Sequence, residues 1–133
     1  MFEKLKLLQK RSYAPYSYFR VSAILTTNNG KEFYGVNVEN SSYGATICAE
    51  RSAIVSAVSN GYTKGDFEKL YLLVDGDTIS TPCNMCRQVF TEFFESNMEI
   101  VMYNKHGESK TLTVEDLCPY SFTSEDLKWK VDL

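Results

Sequence analysis

The segment KLYLLVDGDTISTPCNMCRQVF, residues 69–90, begins with a strand pattern and ends with a helix pattern. KLYLLVDG, residues 69–76, is almost continuously apolar, which is typical of a strand covered on both faces of its sheet. Thr81 is then expected to cap a helix that has Pro82 at its first position and runs to about Asn97. A buried strand followed by a helix favours a parallel crossover.

Two strands and a helix are predicted before this segment. RVSAILTT, residues 20–27, and KEFYGVNV, residues 31–38, have strand patterns, and a tight Asn-Asn-Gly turn joins them. We therefore expect an antiparallel hairpin. Residues 48–60 are predicted to form the next helix, which ends at Gly61. The predicted core contacts of this helix are Ile47, Ile54, Val55 and Val58.

A second hairpin is predicted after the segment, from EIVMYN at residues 99–104 and SKTLTV at residues 109–114. Shorter helices are expected at residues 2 to about 12 and at residues 124–129. This order of elements predicts an α/β fold, a three-layer α/β/α sandwich with a mixed five-stranded sheet. We expect it to form one domain that spans residues 1–133.

The composition excludes several classes of partner. The 133 residues carry a net charge of −3, so no broad basic surface is available for a nucleic-acid backbone. No apolar run approaches the ~20 residues that a membrane-spanning helix needs, and the N-terminus lacks a signal-peptide pattern. We therefore expect a cytoplasmic protein with neither a nucleic-acid nor a membrane partner. Its four cysteines would stay reduced there, which favours metal binding or catalysis over disulfides.

Three of the cysteines are spaced as metal ligands. Cys83 and Cys86 are three residues apart in the first turn of one predicted helix, and Cys48 lies at the start of another. Both helices follow strands of one sheet, so their N-termini can meet at one edge. Three thiolates would leave the fourth tetrahedral position of Zn²⁺ open, as in catalytic zinc sites.

Charged residues beside these cysteines suit such a site. Arg51 and Arg87 are expected to donate hydrogen bonds to the thiolates, and two helix N-termini add partial positive charge. Glu50 lies two residues after Cys48, about 200° around a regular helix. If the metal lies over the end of the helix, Glu50 need not be a ligand and can instead carry a proton.

Other interpretations of the cysteines remain open on the residues alone. A single Cys-x-x-Cys pair also suits a redox motif or a structural zinc site. A redox pair has no use for Cys48 and Glu50, and a structural zinc would need a fourth ligand. Cys118 and His106 are the spare candidates for that ligand, and neither has a recognisable ligand spacing.

Several motifs together resemble one enzyme family. The pairing of Cys-Ala-Glu with Pro-Cys-x-x-Cys is a signature of zinc nucleobase deaminases. More narrowly, YAPYSYFRVSAIL, GVNVENSSY, CAERSA and PCNMCRQ resemble, in order and spacing, the small homotetrameric zinc-dependent cytidine deaminases. The resemblance covers Tyr13 to Leu127 and implies the fold predicted above. It also implies one zinc per subunit and hydrolytic deamination of cytidine and deoxycytidine, in pyrimidine salvage.

The resemblance implies a role for each matching residue. Cys48, Cys83 and Cys86 match the zinc ligands, and Glu50 matches the proton shuttle. The remaining matches are in the substrate pocket and between subunits. They are Asn37 and Glu39 for the ribose hydroxyls, Phe19 for the base, the Ala49 amide and the Thr81 carbonyl for the base edge, and Phe122 and, more weakly, Tyr43 for a neighbouring subunit's site.

The chain departs from the family pattern at three positions. Ser22 and Asn84 stand where the family has glycine, and Cys118 stands where the family has leucine. We expect a positive φ at Asn84, because asparagine tolerates the left-handed region better than most residues.

Three alternative functions are a polynucleotide deaminase, a deaminase of a modified cytosine nucleoside, and a zinc-stabilised binding module without catalysis.

Overall fold

The computed structural model describes residues 1–130. Its β-strands are β1 (Val21–Thr27), β2 (Glu32–Val36), β3 (Phe67–Val74), β4 (Glu99–Tyr103) and β5 (Ser109–Thr113). Its α-helices are α1 (Phe2–Gln9), α2 (Ala49–Ser59), α3 (Asn84–Phe93) and the short α4 (Val114–Leu117). Short 3₁₀ helices cover Tyr43–Ala45 and Ser124–Lys130. Within this part of the chain, none of the helices has the length and apolarity required to cross a bilayer.

The five strands form one mixed sheet in the order β2-β1-β3-β4-β5. Both predicted hairpins are present, as the antiparallel pairs β1–β2 and β4–β5. β1 is also antiparallel to β3, whereas β3 and β4 are parallel neighbours joined through α3. As a result, α2 connects two parallel strands, β2 and β3, that lie on either side of β1. The mixed five-stranded sheet is therefore confirmed.

Helices cover both faces of the sheet, as the alternation along β1 predicts. Ala23 and Leu25 point to the face covered by α2 and α3, where the larger core lies. Ile24 points to the opposite face and packs with Leu5 of α1 and Leu73 of β3. The three-layer sandwich is confirmed, with α1 covering the second face.

The core face of α2 differs from the predicted one. Val55 and Val58 are 50% and 40% exposed, so their assignment to the core is wrong. Ile54 is buried as expected, together with three small residues, Ala49, Ala53 and Ala57. Small residues are required on this face because β2 approaches the helix closely. A Cβ atom on Gly35 would lie 2.2 Å from the Ala49 carbonyl oxygen and 2.5 Å from the Ala53 amide nitrogen.

The start of α3 also differs from the prediction. Cys83 is the N-cap, with an extended backbone (φ −66°, ψ 163°), so Thr81 does not cap the helix and Pro82 is not in it. The helix ends at Phe93 rather than near Asn97. Asn84 is its first residue, and the described non-glycine residues with positive φ are Tyr18 and Tyr120. The expected positive φ at Asn84 is therefore wrong, because ordinary helical geometry suffices there.

Ser22 has a structural use that glycine could not provide. Its side chain is fully buried in β1, and its hydroxyl donates a 2.8 Å hydrogen bond to the Leu5 carbonyl oxygen of α1. A buried hydroxyl needs such a partner to offset its desolvation. Ser22 therefore ties α1 to the sheet.

Gly35→Ala is expected to destabilise the protein and disturb the start of α2. The added methyl group would overlap backbone atoms that cannot rotate away, and overpacking of this kind costs ~1–3 kcal/mol or more. Urea unfolding measures the loss of free energy. Gly44→Ala is the matched control, because a Cβ there meets no atom within 4 Å. Equal stability of the two variants would contradict the close approach of β2 and α2.

Candidate active site

Two helix N-termini deliver the cysteines to one place. Cys48 is the N-cap of α2 and Cys83 is the N-cap of α3, and neither side chain makes a capping hydrogen bond. Both sulfurs are therefore available to a ligand. Cys86 lies in the first turn of α3 and is fully buried. Because the positive ends of two helix dipoles meet here, negative charge on the sulfurs is favoured.

The three sulfurs lie close enough together to share one metal ion. Their Sγ atoms all lie within 4.8 Å of one another, and Cys48 and Cys83 are 3.8 Å apart. Tetrahedral coordination with Zn–S bonds of ~2.3 Å would place two sulfurs about 3.8 Å apart. The donor set thus fits zinc. Within residues 1–130, Cys118 and His106 lie outside this group, which argues against a closed site with four protein ligands.

The surroundings favour ionisation of the Cys48 thiol over ionisation of the Cys86 thiol. A hydrogen bond from the Cys86 thiol, aided by Arg51, lowers the pKa of Cys48 to about 5. The same bond, together with burial and the nearby Glu50 carboxylate, raises the pKa of Cys86 well above its usual range. A divalent cation would relieve this competition, because coordination removes the proton from a thiol outright.

Glu50 is a buried carboxyl group beside the sulfurs. It is the second residue of α2 and only 6% exposed. Burial, together with the negative charge of the neighbouring Cys48, raises the pKa of Glu50 to about 7. A carboxyl group with this pKa can both accept and donate a proton near neutral pH, as a general acid–base residue must.

The two arginines have different partners. Arg51 donates from Nη2 to the Cys48 sulfur at 3.3 Å, as expected. The corresponding expectation for Arg87 is wrong, because its guanidinium donates to three oxygens instead. They are the Pro82 carbonyl (2.7 Å), the Leu117 carbonyl (2.9 Å) and the Thr81 hydroxyl (2.7 Å).

A cavity of about 310 Å³ is lined by Cys48, Cys83 and Glu50. Val21, Leu72 and Val74 give it apolar walls, and Thr81 and Pro82 line the side next to Cys83. Most of the predicted substrate residues also line it: Phe19, Asn37, Glu39, Ala49 and Thr81. A largely apolar pocket with a few polar groups suits a small organic ligand that carries polar substituents.

Glu39 is held at the cavity by the loop before β1. Its carboxylate accepts hydrogen bonds from the Tyr16 amide (3.0 Å), the Ser17 amide (3.1 Å) and the Ser17 hydroxyl. The hydrogen bond from the Ser17 hydroxyl, followed by those from the backbone amides, lowers the pKa of Glu39. The group is thus fixed as a charged acceptor. Ser17 was missed in the sequence, although it lies in the motif YAPYSYF.

Asn37 is more deeply engaged with the protein than predicted. It is 8% exposed, and its side-chain oxygen accepts from the Ser12 hydroxyl and from the Val21 amide at 2.9 Å. Its side-chain nitrogen donates to the Phe19 carbonyl at 2.8 Å. An amide nitrogen has two hydrogens, so one donor is left for a ligand. Asn37 therefore also fixes the loop that carries Phe19.

Tyr43 and Phe122 do not line this cavity in the described structure. Tyr43 is 76% exposed and packs edge-on against Tyr16, with ring centroids 6.0 Å apart. It lines a neighbouring cavity of about 370 Å³, which shares Ser17 and Glu39 with the first. Phe122 is 57% exposed, and its carbonyl oxygen accepts a 2.7 Å hydrogen bond from Gln88.

A three-layer sandwich with a three-thiol metal site at two helix N-termini and an adjacent buried glutamate defines a zinc hydrolase. Comparison with known families identifies its type. Residues 1–103 match the family "Cytidine and deoxycytidylate deaminase zinc-binding region". The chain belongs to this family.

Named relatives and solved structures agree with the family match. The chain is 38% identical to the cytidine deaminase of Sporosarcina psychrophila over 127 residues, 96% of this chain and 92% of the relative. It is 43% identical to a probable cytidine deaminase of Dictyostelium discoideum over 93% of this chain and 82% of the relative. A crystal structure of cytidine deaminase from Burkholderia pseudomallei superimposes with a TM-score of 0.87 at 42% identity. That superposition covers 90% of this chain and 94% of the other.

Cys83→Ala is expected to lose most of the bound zinc, since it removes one of three ligands. The exposed position of Cys83 means that the variant should still fold. Metal analysis of the purified protein gives the zinc content per chain. Cys118→Ala is the matched control, because Cys118 lies outside the group of sulfurs. Full zinc content in Cys83→Ala would contradict the ligand assignment.

Proposed function

We propose that this chain is a cytidine deaminase that hydrolyses cytidine and deoxycytidine to uridine and deoxyuridine, with release of ammonia. The observation that carries the proposal is the position of Glu50, buried beside three sulfurs at the base of a cavity. We further propose that residues 1–133 form one catalytic domain that acts in pyrimidine salvage in the cytoplasm.

Zinc would be held by Cys48, Cys83 and Cys86, where it supplies the Lewis acidity that makes water a nucleophile near neutral pH. Arg51 would offset part of the negative charge of three thiolates, through its hydrogen bond to the Cys48 sulfur. The two helix N-termini act in the same direction. Together these groups favour a site that is acidic enough for hydrolysis.

Glu50 would move the protons of the reaction. It accepts a proton from the attacking water and delivers one to N3 of the pyrimidine, which makes C4 electrophilic. After water has added to C4, Glu50 takes the second proton from the new C4 hydroxyl group and passes it to the amino group, which leaves as ammonia as the C4 carbonyl forms. A carboxyl group whose pKa lies near 7 suits both directions of transfer.

The remaining cavity residues would hold the nucleoside. Phe19 and the apolar wall formed by Val21, Leu72 and Val74 contact the base. The Ala49 amide and the Thr81 carbonyl read its edge, the carbonyl accepting a hydrogen bond from the amino group.

Glu39 and the free donor of Asn37 would bind the ribose hydroxyls. The ionised Glu39 also argues against a polynucleotide substrate, because it would repel a phosphodiester group beside the sugar. A nucleoside therefore fits the cavity better than a nucleic-acid strand.

Glu50→Gln is expected to keep its zinc and to lose most of its activity, because an amide cannot carry the proton. General acid–base residues contribute ~10²–10⁴-fold to the rate. Ammonia release from cytidine gives the rate, and metal analysis gives the zinc content. Glu68→Gln, an exposed carboxylate on β3, is the control and should retain the wild-type rate. Near wild-type turnover by Glu50→Gln would refute the proton-transfer role.

We also propose a homotetramer in which Phe122, and more weakly Tyr43, reaches a neighbouring subunit's cavity. Both side chains are large, apolar and more than half exposed, and neither lines its own subunit's main cavity. Both side chains are therefore available for contact with a neighbouring subunit.

Phe122→Ala is expected to raise KM for cytidine several-fold, while the same substitution at Leu7, an exposed residue of α1, should not. Sedimentation of the wild type at assay concentration measures its assembly. A fully active monomer would contradict shared active sites.

A further inference from the structure

Arg87 is a cation at an unfavourable end of a helix. It lies in the first turn and a half of α3, where the positive end of the helix dipole opposes a positive side chain. Two metal-ligand cysteines precede it, yet its guanidinium makes no hydrogen bond to a sulfur among the described residues. Another set of contacts must therefore account for its position.

These contacts join three segments of the chain. Nε donates to the Pro82 carbonyl, Nη2 to the Thr81 hydroxyl, and Nη1 to the carbonyl of Leu117 at the end of α4. All three distances lie between 2.7 and 2.9 Å, in the range of strong, charge-assisted bonds. A half-buried guanidinium thus connects the helix start, the cavity wall and the C-terminal segment.

Two of the three acceptors flank a single peptide group. The Thr81 hydroxyl and the Pro82 carbonyl lie on either side of the Thr81 carbonyl along the chain. Both residues line the cavity, next to Cys83. The rigid, planar guanidinium binds the Thr81 hydroxyl and the Pro82 carbonyl at the same time. It thereby fixes the orientation of the Thr81–Pro82 peptide. The helix itself does not fix this peptide, because α3 is capped later, at Cys83.

We propose that Arg87 is a positioning residue that holds the Thr81–Pro82 wall for recognition of the cytosine amino group, without supporting the metal. This inference rests on the proposed function, in which the Thr81 carbonyl accepts from that amino group. It divides the two arginines of the site: Arg51 acts on the sulfurs, and Arg87 acts on the substrate wall. The next residue, Gln88, also binds the C-terminal segment, because its side chain donates a hydrogen bond to the Phe122 carbonyl.

The proposal predicts a selective loss of substrate recognition in Arg87→Gln. Cytidine can donate from its amino group, whereas uridine has a carbonyl at the same position. A displaced wall should therefore weaken cytidine binding about 10-fold, the upper value for one neutral hydrogen bond, and uridine binding less than about 3-fold. Zinc content should stay at the wild-type level.

Calorimetry of the zinc-loaded full chain in a Glu50→Gln background measures both ligands, because cytidine is then not consumed. Arg87→Gln is compared with Arg51→Gln, which should lower zinc content by removing the bond to Cys48. Arg11→Gln, an exposed arginine after α1, should change neither zinc nor ligand binding. The result does not depend on turnover, so a failure of wild-type deamination would be seen separately, in ammonia release.

Three results would overturn the proposal: zinc loss in Arg87→Gln, equal weakening of cytidine and uridine, or no weakening of either. If Arg87→Gln does not fold, Arg87→Lys decides the question. Lysine keeps the positive charge but lacks the rigid planar fork from which three separate nitrogens of Arg87 bind the acceptors. Arg87→Lys should therefore also weaken cytidine binding more than uridine binding. Wild-type selectivity between the two ligands in this variant would refute the role of Arg87.

Discussion

Two helices must begin at one point for this site to exist. Each contributes its N-cap cysteine, and α3 adds a third sulfur from its first turn. The sheet satisfies this constraint because α2 and α3 pack in the same core, on one face of the sheet. Each of these helices leads to the next strand of the sheet. The close contact of Gly35 with the backbone at Ala49 sets the depth of α2. The sulfur positions therefore depend on tertiary packing as well as on local sequence.

The same constraint explains the electrostatics of the site. Three thiolates and a carboxylate in one small volume would repel one another strongly in a low-dielectric interior. Two helix N-termini, Arg51 and the metal ion that fits the sulfurs are the available compensation. Glu50 receives less of this compensation, since burial raises its pKa. It is thus able to exchange protons, while the neighbouring sulfurs remain suited to metal binding.

Elements with strong periodicity could be predicted from the sequence. The alternation in β1 assigns Ala23, Ile24 and Leu25 to their faces, and the glycines at 30 and 61 end their elements with positive φ, as expected. Val55 and Val58 were misassigned, because hydrophobicity alone cannot show that a close strand requires alanine on α2. Pro82 suggested an early start of α3, whereas the extended backbone at Cys83 delays it.

The metal cluster was predictable, but the partners of the arginines were not. Sequence distance places both Arg51 and Arg87 next to ligand cysteines, and it does not show in which direction a long side chain turns. Arg87 turns toward carbonyl groups of an irregular segment and of α4, and no pattern in the sequence indicates that contact. A guanidinium at a helix start is favourable only when such acceptors outweigh the helix dipole. Its position there is therefore explained by its hydrogen bonds to this irregular segment and to α4.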